Sequence, residues 1–169
     1  MLNFFKSLFA KLFAGKSCPQ NLGSHSVSFD VETLWAAVIE RLPNEIKINA
    51  STWAGKPYIH IKPQSKHLGI KDFKYCVEYS SKNAKACVNV ESLNGGEEAK
   101  SIIQEFIDSK PGPEFIKAMA AQQGSKNKNK WFWGVTTSAE KLNEELVVWY
   151  VETITAFYDF FEQEPAGKE

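Results

Sequence analysis

The sequence predicts an α+β domain with a mostly antiparallel sheet of about five strands and helices packed on one face. Three observations carry this expectation. Two stretches, residues 48–61 and 73–92, alternate apolar and polar residues with period two on either side of a turn signal. Four further stretches, 2–13, 29–42, 97–109 and 138–162, repeat apolar residues at helical spacing. The 169 residues, 43% hydrophobic and 24% charged, are enough for one core without disulfide or metal staples. The expected order is α, α-ββββ-αα-β-α, in which antiparallel strands present one dry and one wet face.

Residues 1–14 begin LNFFKSLFAKLF after the first Met. Phe5, Leu8, Phe9, Leu12 and Phe13 form an apolar stripe beside Lys6 and Lys11, as in a short amphipathic helix. Those lysines interrupt the apolar run that a secretory leader needs. Residues 15–28 are rich in Gly, Pro, Ser and Asn and read as a linker. The main body spans 29–163, with a tail at 164–169.

Asp30 is an expected N-cap for a helix through Leu42, with Phe29 and Leu34 as a hydrophobic staple and Pro43 as the stop. A turn at Ala54-Gly55 pairs Ile61 with Ile48 and Ile59 with Ala50 on the dry face, and His60 with Asn49 and Tyr58 with Ser51 on the wet one. A turn at Lys82-Asn83 pairs Tyr75 with Val90, Val77 with Val88 and Tyr79 with Ala86. The same register sets Lys74 against Glu91 and Cys76 against Asn89. Asn94-Gly95-Gly96 precedes a helix over 97–109, whose Glu97 and Glu98 suit its positive end. Pro113 opens a second helix through Gln123. The segment WFWGV is a short aromatic strand, and Thr137 with Glu140 form an expected capping box for a last helix over 138–162.

Net charge is zero, and only one of the 20 basic residues is an arginine, Arg41, so no general case for a nucleic-acid partner arises. The charge is unevenly spread, since residues 1–29 carry three lysines and no acid while 138–169 carry eight acids and two lysines. Cys18, Cys76 and Cys87 form no CxxC pair, the pattern of a reducing compartment, and the cytoplasm is expected. No apolar run reaches the roughly 20 residues of a spanning helix.

Catalytic and metal motifs are not legible. Gly15-Lys16-Ser17 lacks both the upstream glycine and the preceding strand of a phosphate-binding loop. No Glu-x-Lys accompanies Glu78 or Glu91, as a restriction-nuclease metal site would require. His60, Cys76, Glu78 and Cys87 share the wet face, yet their spacing is not that of paired zinc ligands on turns, so neither metal nor cofactor is expected. Two interaction surfaces remain. One is the wet sheet face (Asn49, Ser51, Tyr58, His60, Cys76, Glu78, Asn89) or the N-terminal stripe, meeting a protein partner; the stripe could also serve self-association, dock on the acidic last helix or lie on an anionic membrane surface. The other is Lys126, Lys128 and Lys130 followed by Trp131 and Trp133, the charge-plus-ring chemistry of single-strand binders. Against the latter, alternating tryptophans in a strand also serve a core.

The runs YCVEYSSKNAKACVNVES, EEAKSIIQEFI, EFIKAMAAQQG, WFWG and LVVWYVETITAFYDFFEQ, together residues 73–164, resemble an uncharacterised bacterial domain family found near restriction and phage-defence modules. That family is marked by a hairpin, an Ala-Lys-bearing helix, a Trp strand and a Trp-containing terminal helix in this order. Gly134-Val135-Thr136-Thr137 stands where basic residues follow the family's Trp strand. The resemblance implies a defence-associated setting and carries no catalytic residues. The sequence thus leads to a small protein-binding or adaptor domain without catalytic activity, with an accessory nucleic-acid-binding or nuclease-related defence component as the alternative.

Overall fold

Asp30 begins the described part of the chain as expected: its carboxylate accepts from Thr33 N–H at 2.7 Å and caps helix α1, Val31–Arg41. The computed structural model describes residues 30–46, 57–65, 68 and 72–163. The predicted N-terminal helix with Phe5, Leu8, Phe9, Leu12 and Phe13, the linker, the strand with Asn49 and Ser51, and the tail lie outside the described residues.

Strands β1 (Tyr58–Ile61), β2 (Phe73–Ser80) and β3 (Lys85–Ser92) form an antiparallel meander. The β2–β3 register is the expected one at every named pair, including Tyr75–Val90, Lys74–Glu91 and Cys76–Asn89. The turn is longer than the expected Lys82-Asn83 pair. Residues Ser81–Asn83 form a 3-10 turn and Ala84 takes φ 47°, so the two strands keep their symmetry about residues 82 and 83 while four residues reverse the chain. Helix α2 (Gly96–Ser109) and the single turn α3 (Glu114–Lys117) follow.

Two expectations are corrected. The helix expected from Pro113 through Gln123 stops at Lys117, and Gln122–Gln123 form instead a two-residue strand, β4. The second correction is larger. Strand β5 runs Trp131–Ser138, so Thr137 is a strand residue paired with Ala86 and not a helix cap. Helix α4 starts at Glu144, capped by Asn143, whose Oδ1 accepts from Leu146 N–H at 3.0 Å. A β-branched run, Val135-Thr136-Thr137, beside a waiting partner strand outweighs the local capping pattern. The sheet order is β1-β2-β3-β5-β4.

Helix α4, Glu144–Glu162, is 19 residues and about 28 Å long. It buries Leu146, Val147, Tyr150, Ile154, Phe157, Tyr158, Phe160 and Phe161. Its rings meet the dry face and the other helices: Tyr150 lies 5.0 Å from Trp35, Tyr158 6.1 Å from Tyr75, and Phe161 5.9 Å from Phe106. Three tyrosine hydroxyls avoid a desolvation cost by donating outward, Tyr150 to Glu78 O (2.8 Å), Tyr75 to Glu162 (2.7 Å) and Tyr158 to Glu45 O (3.3 Å). Lysines close the helix ends: Lys110 Nζ donates to Gln163 O at 2.7 Å just past α4, and Lys117 Nζ to Ile107 O in the last turn of α2. None of the described helices is long and apolar enough to cross a membrane.

Trp131 and Trp133 lie on the dry face with rings 6.2 Å apart, and neither buried indole N–H has an acceptor among the described residues. Trp133→Phe removes the unsatisfied donor along with some packing and is expected to cost about 1 kcal/mol. Trp133→Ala leaves a cavity and should cost about 3–5 kcal/mol. Urea unfolding of the two variants measures the difference.

Candidate functional site

Two sites emerge, one on the polar face of the sheet and one along its β5 edge. On the polar face the register aligns residues from three strands. Tyr79 N–H donates to Pro57 O at 2.8 Å, which makes Tyr58–Glu78 and His60–Cys76 the closely approaching, non-hydrogen-bonded pairs of β1 and β2. Tyr58 stacks on His60 with centroids 4.9 Å apart. Ligand atoms of His60, Cys76 and Glu91 all lie within 4.8 Å of one another.

This face is less wet than its pattern implies. Glu91 is only 4% exposed, and both of its oxygens are engaged: Lys74 Nζ stands 3.2 Å from Oε1 and Lys130 Nζ 2.7 Å from Oε2. Lys74 Nζ is also 3.3 Å from His60 Nε2. Cys76 is buried, and its thiol pKa is pushed well above the usual range, first by burial and then by the nearby Glu91 and Glu78 carboxylates. Cys87, half-buried, accepts from Asn89 Nδ2 at 3.5 Å and lies 3.8 Å from Glu78; burial foremost pushes its thiol up to about 12. Both thiols are free. Gly134 makes room here. A Cβ on it would meet Asn89 Oδ1 at 1.9 Å and Val88 O at 2.5 Å, so only glycine lets the Asn89 amide lie across the strand.

The second site is a groove of about 550 Å³ between the end of β5 and the first half of α4. Val135, Phe115, Leu146, Val148 and Trp149 give it an apolar lining, while Glu140, Glu145, Glu152 and Lys141 stand at its walls. Burial raises the Glu152 carboxyl above its ordinary value. Val148 is 42% exposed, the most exposed large apolar residue described. One side of this groove is backbone. Ala139 N–H donates to Ala84 O at 2.8 Å, which fixes Trp133, Val135 and Thr137 as the β5 residues bonded to β3. The N–H and C=O groups of Gly134, Thr136 and Ser138 therefore point to the opposite edge. Strand β4 covers that edge only at Trp131 and Phe132, and no strand among the described residues continues it.

Of the sequence-predicted site residues, Tyr58, His60 and Glu78 do come together on the polar face. The lysine and tryptophan set does not. Trp131 is 8% and Trp133 0% exposed on the dry face, which corrects the expectation that their rings could stack on bases. Lys130 is committed to Glu91 and lies 5.6 Å from the Phe132 ring centre. Lys126 and Lys128 are exposed. The groove was not legible, because the segment that makes its edge reads locally as a helix cap. The three-strand cluster was legible only in part: the β2–β3 register sets Cys76 beside Glu91, whereas the pairing of β1 with β2, which puts His60 opposite Cys76, was not read from the sequence.

Compared with protein-family models, curated proteins and solved structures, the chain gives no match in any of the three.

Two outcomes test this site. Gly134→Ala should destabilise the fold by about 1–3 kcal/mol, because the Val88 carbonyl cannot swing away as the Asn89 amide can; thermal and chemical unfolding read this. In a Cys18→Ser background, Cys87 should react with iodoacetamide at pH 8 at least a hundredfold more slowly folded than in urea, because the thiolate is the nucleophile. The raised value favours the neutral thiol in the fold. Its contribution to stability is thus whole below about pH 9 and is lost as pH rises through about 12.

Proposed function

We infer that this chain is a cytoplasmic protein-binding domain that accepts an extended segment of a partner protein as an added strand along residues 134–138. The observation that carries this reading is the hydrogen-bonding phase of β5, which turns Gly134, Thr136 and Ser138 outward beside the apolar groove. An added strand would satisfy those backbone groups, and alternate side chains would drop toward Phe115, Val135 and Trp149. Three acids against one lysine on the walls favour a segment that alternates apolar residues with basic ones. The two free thiols support a reducing compartment.

Fluorescein-labelled eight-residue peptides alternating Val with Lys, Ser or Glu test the reading by polarisation. The Val/Lys peptide should bind and the Val/Glu peptide should not. Thr136→Pro deletes an N–H that β3 does not use, so it should keep the fold and lose at least tenfold in affinity. Trp149→Ala should weaken binding as well. Binding that survives Thr136→Pro, or that maps to Tyr58, His60 and Glu78 by chemical shift, overturns the edge as the site. Salt-dependent binding of single-stranded DNA or RNA that is lost when Lys126, Lys128 and Lys130 become Ala would favour the nucleic-acid alternative.

A further inference from the structure

We propose that His60, Cys76 and Glu91 form a binding site for a zinc-class divalent cation on the polar face of the sheet, at the position where the Lys74 ammonium now stands. Adjacent strands β1, β2 and β3 each supply one ligand. The ligand atoms already lie within 4.8 Å of one another. Tetrahedral zinc bonds of about 2.0–2.3 Å separate neighbouring ligands by about 3.3–3.7 Å, so the cluster must contract by only about 1 Å, within the reach of side-chain rotation.

Four further observations point the same way. A cation is already in place: Lys74 Nζ lies 3.3 Å from His60 Nε2 and 3.2 Å from Glu91 Oε1, on a flexible stem that is 23% exposed and can swing into solvent. Lys130 holds the second oxygen of Glu91 at 2.7 Å and so orients the first toward the cluster, the usual task of an outer hydrogen bond at a metal site. Tyr58 stacks on the His60 ring and restrains its rotation. Among the described residues, Cys76 Sγ is the one member of the trio without a hydrogen bond, and it is buried beside the other two ligand atoms.

The mixed sulfur, nitrogen and oxygen set suits Zn²⁺ and its spectroscopic substitute Co²⁺ better than Mg²⁺ or Ca²⁺, which take oxygen ligands. Binding releases the Cys76 thiol proton to solvent and displaces the Lys74 ammonium. The cation then gains three bonds from the protein, with a fourth position open to water or an incoming ligand. It would also tie the four-residue strand β1 to its neighbours. The site lies across the sheet from the β5 edge, so it stands or falls independently of peptide binding.

The full chain, dialysed against chelator, is titrated with Co²⁺ and then Zn²⁺. One equivalent of Co²⁺ should give a thiolate-to-metal charge-transfer band that Zn²⁺ abolishes. Cys76→Ser should remove the band, and Cys87→Ser and Cys18→Ser should keep it. His60→Ala, at a half-exposed position that leaves the core intact, should weaken binding at least tenfold. Lys74→Met should tighten it tenfold or more, because the competing ammonium is gone; a role for Lys74 as a mere structural partner predicts no such gain. The proposal is overturned if neither the wild-type chain nor Lys74→Met shows the band, or if the band survives Cys76→Ser. It is equally overturned if removing Lys74 leaves the affinity unchanged or lower.

Discussion

The packing of helix α4 against the dry face of the sheet is the contact on which the rest of the structure depends. Its buried residues cover more than one stripe, so the helix must be enclosed: the sheet takes one side, and α1 and α2 take others through Trp35 and Phe106. An aromatic helix enclosed this way buries polar hydroxyls as well as rings. Tyr150 reaches the backbone of β2, and Glu162 accepts from Tyr75 and from the backbone at Gln64 and Ser65. These directional bonds set where the helix lies along the sheet, which hydrophobic burial alone does not specify.

The position of α4 has consequences at both candidate sites. Its first turns stand off from the end of β5 and leave the groove, and its apolar demand holds the described helices to one face. The opposite face is then left to cross-strand pairs. There the sheet does not simply expose its polar residues. It folds Glu91 and Cys76 in under two lysines and an asparagine, so that a face patterned as wet carries a buried acid and a buried thiol. A carboxylate so enclosed is tolerable because both oxygens are paired.

The legibility of the chain follows interaction range. The β2–β3 register could be read because the two strands sit on either side of one turn and each alternates without a break, so a slip by one residue would put Tyr75, Val77 and Tyr79 in water. Asp30 could be read because a cap acts within three residues. Thr137 and Glu140 misled for the same reason: a cap signature is local, and it was outbid by the partner β3, whose arrival no local pattern announces. Gln122–Gln123 failed likewise, since a two-residue strand exists only where another strand already offers it an edge. The tryptophans at 131 and 133 were visible as either core or surface, and only the side on which the helices pack made them core.

By itself the sequence determined the class of fold, the alternation that makes one sheet face dry, the register of the central hairpin and the helix that caps on Asp30, because each depends on residues close together in the chain. Tertiary structure alone decided where β5 ends, which backbone groups its edge leaves outward, and that β1 brings His60 opposite Cys76 and so to Glu91. Those are facts of hydrogen-bonding phase and strand adjacency between distant segments, and the energy that selects them appears only once the strands have met.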